Sequence, residues 1–364
     1  MQITDDLKGD VEPLKGRLPE EQTQRLRSLG INTAEELRDQ LAHGNPMLLY
    51  NYLDSPGAPA APLLRAPRVA RSAWGRSAAM APYRIFSSVA DKGTALLQRR
   101  PRGILLTDDQ RSRRGLPPPG IRTDPDGQPH VAVDLRARMP DIRNQGNRPT
   151  SPAFAVCSLR ESLLHASKHK VVALSAQFLY WQCKSRDGDP LEEGTRLGVA
   201  MDVVREVGIP PARLWRYSPS PDPTGNEGQG APPKEATLLN KATEFKVNRF
   251  IRLRSRDVRA LRSVLDSDNV VTFAANTFAC WDYPATVLSG DIPLPLPGEN
   301  TDGGQAVCLV GYEDNPALPG GGAFLIHNSW GTSWGEKNRY GAGYGTLSYA
   351  YAALYGLEAY TIES

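Results

Sequence analysis

The sequence has little that would build a disulfide framework, a metal site or a membrane span. Its four cysteines, Cys157, Cys183, Cys280 and Cys308, are widely spaced and form no CxxC or metal-type cluster. No stretch approaches the roughly 18 uninterrupted apolar residues of a membrane span, and MQITDDLKGDVEP has no basic start followed by an apolar core. These absences predict a cytoplasmic protein without signal peptide, cofactor or metal ion. Cys157 and Cys308 fit helical and strand-like apolar patterns, which predicts buried free thiols.

A strong excess of one charge is also missing, because the net charge is only +3. The distribution is nevertheless uneven. Residues 1–54 carry ten Asp and Glu against six Lys and Arg, whereas residues 55–123 carry thirteen Lys and Arg against three Asp. This basic middle suits an acidic partner, nucleic acid or a solvated connector. Few aromatic residues separate its arginines, which disfavours nucleic acid, and we prefer the connector.

The first region, residues 1–54, predicts a small helical module. LPEEQTQRLRSLGINTAEELRDQL, residues 18–41, gives two helices around Gly30, and Thr33 followed by Glu36 is a capping box at the start of the second. The arrangement looks like a helix-hairpin-helix unit. Its hairpin has one glycine to present amides to phosphate, and the region is acidic, so we expect packing or protein interaction rather than DNA binding.

Two further regions follow. Residues 55–130 are rich in Pro, Ala and Arg without a sustained period, which predicts a linker or an extended strap, with one short helix in SVADKGTALLQRR. In residues 131–364 helices come first and strands afterwards, which predicts an α+β domain with two segregated lobes. The predicted helices are SPAFAVCSLRESLLHAS, SAQFLYWQC and GTRLGVAMDVVREVG, and the predicted strands are NVVTFAANTF, GGQAVCLVGYED, GAFLIHNSW and LEAYTI.

Three motifs in the third region carry the functional signal. They are NQG at 144–146, GGQAVCLVGYED at 303–314 and NSWGTSWGE at 328–336. In this order, on an α-then-β chain, they resemble the papain-like cysteine peptidases over residues 131–364. The resemblance implies a helical lobe, a β-barrel-like lobe and a catalytic groove between them.

The resemblance also implies a role for single residues. Gln145 matches the oxyanion glutamine and Asn328 the amide that orients the catalytic histidine. Ser151 stands at the position of the nucleophilic cysteine, and Gln305 stands at the position of the histidine base. Gln145 and Trp330 are the implied binding residues, with Trp334 as the second tryptophan of the motif and Pro152 directly after the nucleophile position.

The double exchange at 151 and 305 removes the family's chemistry. A serine hydroxyl needs a base within hydrogen-bond reach, and a glutamine amide does not titrate near neutral pH. The five histidines offer no replacement, since each is expected to face away, to lie too far along the helix or to fall outside the motifs: His43, His130, His165, His169 and His327. Without a catalytic role, Ser151 is expected to be a helix N-cap with Pro152 as the first helical residue, and Gln305 and Asn328 to be hydrogen-bonded.

These considerations favour a pseudopeptidase that binds a protein or peptide in the inter-lobe groove, or that holds its own 55–130 segment there. That segment precedes the domain as a propeptide does in the family's zymogens, so we expect it near Gln145. One alternative is a cysteine endopeptidase present here with its Cys and His replaced. A second alternative is a nucleic-acid-associated protein that uses the arginine-rich middle.

Overall fold

A computed structural model of the protein describes residues 18, 20–54, 99–116, 130–168, 172–189, 192–220 and 230–363. Residues 88–98, which carry most of the helix predicted in SVADKGTALLQRR, lie outside the described residues. So does the remainder of 55–98. Among the described residues, no helix combines the length and the apolar character needed to cross a membrane.

The N-terminal residues form three helices, α1 (Glu20–Ser28), α2 (Ala34–His43) and α3 (Pro46–Asp54). The predicted capping box is confirmed, because Thr33 Oγ1 accepts from Glu36 N at 3.2 Å and Glu36 Oε2 accepts from Thr33 N at 2.9 Å. Gly30 adopts a φ of 83° in the turn between α1 and α2, a conformation that glycine reaches without a steric penalty.

These helices pack against the second half of the chain. Leu29 O accepts from Leu294 N at 2.7 Å, and buried Asp39 accepts from Ala285 N at the start of a helix. The apolar side chains of α1 and α2, including Leu26 and Leu37, belong to the same core cluster as the strands. The N-terminal helices therefore bury their apolar face on the main body of the protein.

Helices dominate the first half of the main body. α4 (Asp108–Arg111) precedes the first strand, β1 (His130–Asp134), and is followed by α5 (Ser151–Lys168), α6 (Ala176–Lys184), α7 (Leu197–Glu206) and α8 (Glu235–Ala242). α5 is apolar around most of its first turns, and Ala153, Val156, Cys157 and Leu159 are fully buried. A helix that is apolar on all sides is a core helix, and α5 packs against the sheet on one side and α6 and α7 on the other.

Strands dominate the second half. In chain order they are β2 (Phe250–Leu253), β3 (Val271–Thr277), β4 (Asp291–Ile292), β5 (Gly303–Asp314), β6 (Gly322–His327), β7 (Tyr344–Ser348) and β8 (Gly356–Ile362). Three helices are interspersed, α9 (Val258–Asp266), α10 (Pro284–Ser289) and α11 (Tyr349–Tyr355). The described strands form one eight-stranded sheet of order β2-β8-β3-β5-β6-β7-β4, with β1 also paired to β5. The predicted α+β class is confirmed.

β5 is the centre of the sheet, because its two ends pair with different neighbours. Its first half runs antiparallel to β3, with Gln305 opposite Ala275, and its second half runs antiparallel to β6 and β1. The register shifts between Leu309 and Gly311, where the change of partners occurs. The buried pattern of VCLVGY follows from this position between neighbours.

Part of the predicted linker lies between the two halves. Within residues 99–116, which we name the cleft segment, Ile104 N donates to Gly304 O at 2.9 Å at the start of β5. Leu105 N donates to Thr195 O at 3.1 Å, and Thr195 N donates to Gly103 O at 3.0 Å, just ahead of α7. The cleft segment thus makes main-chain hydrogen bonds to both lobes.

The loop that carries Thr195 is organised around a buried lysine. Lys184 is 2% exposed, and its Nζ donates to Asp187 Oδ2 at 2.8 Å and to the carbonyls of Asp189, Glu192 and Gly194 at 2.7, 2.6 and 3.0 Å. An ammonium group buried with a carboxylate and carbonyl acceptors is satisfied without water. Lys184 therefore fixes the loop that meets the cleft segment. The burial predicted for Cys157 and Cys308 is also confirmed, and all four cysteines are buried free thiols.

Replacing Lys184 by Met is expected to lower the free energy of unfolding by about 3–5 kcal/mol, because Asp187 would remain buried without its cation. Lys241→Met is the matched control, since the pair of Lys241 with Glu244 is exposed and worth only about 0.5 kcal/mol or less. Urea denaturation of both variants measures the difference. Equal effects of the two substitutions would contradict the structural role of Lys184.

Candidate functional site

The four residues at the implied catalytic positions meet at one point between the lobes. Gln145 lies in the loop ahead of α5, Ser151 is the first residue of α5, Gln305 lies near the start of β5 and Asn328 directly follows β6. We name these residues the cleft quartet. None is more than 1% exposed. The element order helix, central strand, next strand brings them together although they span just over half of the sequence.

Three members of the cleft quartet form an amide network. Gln305 Nε2 donates to Gln145 Oε1 and to Asn328 Oδ1, both at 3.2 Å, so the predicted bond between Gln305 and Asn328 is confirmed. Ser329 Oγ also donates to Gln145 Oε1 at 2.7 Å. All these groups are neutral at any pH near 7, and the network holds no proton that titrates there.

The prediction that Ser151 is a helix N-cap is wrong. Ser151 is the first residue of α5, and the residue before it, Thr150, takes the N-cap position. Thr150 O accepts from Ala153 N and Phe154 N at 3.0 and 3.4 Å. Ser151 Oγ instead accepts from Ala306 N of β5 at 3.1 Å. Pro152 accordingly follows the first helical residue, where its missing N–H still costs no helix bond. A strand N–H competes successfully for the hydroxyl because β5 passes directly over the helix start.

The amide of Gln145 is already engaged. Its Nε2 donates to Arg148 O at 3.0 Å and to Pro101 O of the cleft segment at 3.2 Å, which uses both amide hydrogens. The amide N–H that would bind the oxyanion in the family is therefore hydrogen-bonded to a carbonyl of the chain itself.

Gly103 covers the nucleophile position. A Cβ atom added at Gly103 would collide with Ser151 Oγ and Ser151 N and lie 2.8 Å from Pro152 Cδ. Glycine is the residue that allows so close a main-chain approach. In this arrangement the cleft segment, rather than an external peptide, contacts Ser151.

The described histidine side chains do not join the cleft quartet. His327 Nε2 lies 3.1 Å from Pro140 O, its ring packs edge-on against Tyr344, and burial lowers its pKa from 6.5 to about 4, assisted by Arg143. The ring of His43 packs at a tilt against the ring of Tyr283, with 6.3 Å between the centroids. His165 lies on α5, fourteen residues beyond Ser151 and about 20 Å away by helix rise. The side chain of His130 and all of His169 lie outside the described residues.

Trp330 forms the floor of the neighbouring part of the cleft. It packs edge-on against Trp281 and Trp334 at 5.8 and 5.6 Å, and the guanidinium carbons of Arg100 and Arg102 lie 5.6 and 5.1 Å from its ring centroid. Both distances are in the range of cation–π contacts. The implied binding residue Trp330 thus contacts the cleft segment.

Two acidic residues of this part of the cleft were missed by the sequence analysis. Arg102 Nη2 donates to Asp282 Oδ2 at 2.5 Å and to Asp302 Oδ2 at 3.3 Å. The available signal was an isolated acid in the aromatic stretch FACWDYP and another directly before the GGQ motif. Among the described residues, no group of three or more His, Cys, Asp and Glu is placed to hold a metal ion.

The model of the papain family of cysteine proteases matches residues 130–359, more than half of the chain. The chain belongs to this family. A crystal structure of xylellain, a cysteine protease from Xylella fastidiosa, aligns with a TM-score of 0.55 and 22% identity over 74% of this chain and 99% of that one. This likeness shows the papain-like fold, as the sequence predicted.

Curated relatives match a smaller part of the chain. An uncharacterized peptidase C1-like protein of Acanthamoeba polyphaga mimivirus is 24% identical over 185 residues, which cover 49% of this chain and 54% of that protein. A senescence-specific cysteine protease of Arabidopsis thaliana is 26% identical over 211 residues, 57% of this chain and 54% of that protein. The chain spans about half the length of the curated relatives it matches.

The depressed pKa of His327 gives a pH prediction. The unfolded chain takes up a proton on this histidine below pH 6.5, whereas the folded chain does so only near pH 4. The free energy of unfolding should therefore fall by roughly 3 kcal/mol as the pH drops through this window. His327→Gln keeps a donor near Pro140 O and removes the titration.

The measurement is the difference in free energy of unfolding between His327→Gln and the parent chain at pH 7 and at pH 4. Buried carboxyls such as Glu161 and Asp291 titrate in both proteins, so their effect cancels. On acidification from pH 7 to pH 4, the free energy of unfolding of the variant should rise relative to that of the parent chain. A pH-independent difference would show that His327 is protonated in the folded protein as easily as in the unfolded one.

Proposed function

We propose that the protein is a papain-family member without peptidase chemistry that binds a protein or peptide segment in its cleft. The observation that carries the proposal is the neutral amide of Gln305 at the base position, hydrogen-bonded to Gln145 and Asn328. A general base must accept a proton from the nucleophile, and a carboxamide does not. Loss of a triad base typically costs several orders of magnitude in rate.

The state of Ser151 supports the same proposal. Its hydroxyl oxygen accepts a backbone N–H from Ala306, which engages one of its two lone pairs and lowers its nucleophilicity. A serine becomes a useful nucleophile through an adjacent base. The pKa of His327 is lowered by burial, but its Nε2 bonds Pro140 O rather than Ser151.

The cleft remains suited to an extended chain. The cleft segment adds hydrogen bonds to Gly304 on one lobe and to Thr195 on the other, the pattern by which grooves take up extended peptides through their main chain. The occupant in our proposal is the chain's own segment or a protein segment that replaces it. Recognition, rather than hydrolysis, is the function that this arrangement supports.

The alternatives have weaker support. Relatives named as cysteine proteases favour an endopeptidase whose Cys and His are replaced here, but the exchanged residues are those on which the chemistry depends. The nucleic-acid hypothesis relies on arginines of the middle region, and Arg100 and Arg102 are paired with Asp282 inside the cleft. A cytoplasmic location stays a prediction.

The first test is a search for hydrolysis. The purified chain is incubated with fluorogenic peptides and a protein substrate, and we expect no cleavage above that of Ser151→Ala, since neither protein has a base at position 305. Active-site labelling by an acylating probe should be absent from both. Cleavage by the parent chain that disappears in Ser151→Ala would overturn the proposal.

The second test restores the family's residues. Ser151→Cys with Gln305→His should remain nearly silent, because Gly103 covers position 151 and Pro101 O occupies the Gln145 amide. Adding Arg102→Ala and Gly103→Val, which unseat the cleft segment, should give measurable thiol-dependent hydrolysis. The matched control replaces Ser151 by Ala in the same fourfold background. Full activity of the first pair alone would show that the cleft segment does not block the site.

A further inference from the structure

We propose that Asp282 and Asp302, next to the ring of Trp330, form an arginine-recognition subsite beside Ser151. We infer that the cleft selects protein segments in which arginine is followed directly by glycine. The inference rests on the proposed function, peptide binding without hydrolysis, and names the chemistry of the peptide. In the structure the occupant is the chain's own Arg102-Gly103.

The side chains of both carboxylates are buried, and Asp302 is also held by Thr277, outside the cleft segment. The side chains of Asp282 and Asp302 are 0% and 7% exposed. Asp302 Oδ1 accepts from Thr277 Oγ1 at 2.7 Å, and its backbone N donates to Thr277 O at 3.0 Å. Burial raises the pKa of Asp282, and the Arg102 guanidinium opposes that rise. A buried carboxylate pair of this kind is costly without a cation.

The chemistry selects arginine over lysine. Arg102 Nη2 donates to both carboxylates, and the guanidinium carbon lies 5.1 Å from the Trp330 centroid. A planar and weakly hydrated cation suits a buried site against an aromatic ring, whereas an ammonium group is a strongly hydrated point charge. Gly303 leaves room for the arginine stem, because a Cβ there would lie 2.6 Å from Arg102 Cγ and 2.8 Å from Arg102 Cβ.

Position 103 selects glycine for a separate reason. Any side chain at 103 would meet Ser151 Oγ and the backbone N of the first residue of α5. The hydrogen bond from Ala306 N to Ser151 Oγ ties the helix start to β5. The residues after the glycine, Ile104 and Leu105, donate their backbone N–H groups to Gly304 O and Thr195 O and bury their side chains.

The chain's own arginine is a replaceable ligand. Arg102 Nη1 is buried without a hydrogen-bond partner among the described residues. A buried donor left unused reduces the net contribution of the pair. A segment that supplies its own arginine, together with an acceptor for the equivalent nitrogen, would therefore compete with the cleft segment for the subsite.

The test uses the full chain with Arg102→Ala and Gly103→Val, in which the cleft segment loses its ion pair and collides with Ser151. The probe is a fluorescent peptide of residues 99–106, RRPRGILL, and its binding is followed by anisotropy. The control peptide has the same composition with the proline and the third arginine exchanged. We expect the control to bind about thirtyfold more weakly or worse, because it leaves a buried carboxylate unpaired.

Variants of the protein separate the subsite from general charge. Adding Asp282→Asn to the same background should weaken binding of the native-order peptide by a similar factor. Adding Asp268→Asn should leave binding unchanged, since Asp268 is exposed and pairs with Arg138 away from the cleft. Equal binding of both peptides, or equal loss with both Asp variants, overturns the arginine subsite while leaving peptide binding in place.

Other outcomes bear on the two proposals separately. If neither peptide nor a panel of unrelated extended peptides binds, both the subsite and the proposed function fall. Hydrogen exchange checks that the cleft segment is released, as loss of protection at the amides of Ile104 and Leu105. Retained protection shows that Arg102 and Gly103 do not seat the segment and overturns the subsite. If the double variant does not fold, Arg102→Gln alone is scored by the same exchange criterion.

Discussion

The structure depends on one contact, the packing of the start of α5 against the start of β5. There the two lobes meet through Ser151 Oγ and Ala306 N, and Gln305 adds bonds to Gln145 and Asn328. A helix terminus and a strand buried against each other must satisfy their polar groups internally. The cleft quartet does this in part with neutral groups, while Gln305 Oε1 and Asn328 Nδ2 are buried without a hydrogen-bond partner among the described residues. The contact therefore joins the lobes through uncharged groups.

Because the centre is neutral, the ionic interactions of the cleft lie beside it. Asp282 and Asp302 carry the negative charge, and Arg100 and Arg102 of the cleft segment neutralise it over Trp330. In an active member of the family the ion pair would sit at the nucleophile, where it activates a thiolate. Here the charged groups hold the cleft segment, and in the function that we propose they serve recognition.

The surroundings of the cleft are built to hold that chain. Lys184 fixes the loop that presents Thr195, and the N-terminal helices bury Leu26 and Leu37 on the body that carries Asp282. Both features act at a distance from the cleft quartet. They position main-chain groups, which the proposed binding of an extended segment would use.

Local signals in the sequence determined a great deal. The capping box of Thr33 and Glu36, the change of period from helix to strand, and the order of the three motifs each depend on residues that are neighbours in the chain. They were sufficient for the α+β class, the family and the convergence of the cleft quartet. The presence of Ser151 and Gln305 at the family's cysteine and histidine positions was likewise visible in the sequence.

Only the tertiary structure decided which residues of the 55–130 segment lie in the cleft and which side chains they contact. Arg102 meets Asp282 from 180 residues away, and Ser151 exchanges its expected cap bond for Ala306, 155 residues away. No periodicity or turn rule reports such pairs, because their partners are chosen by the packing of whole elements. The sequence therefore identifies the residues of the cleft, but the fold determines which of them contact one another.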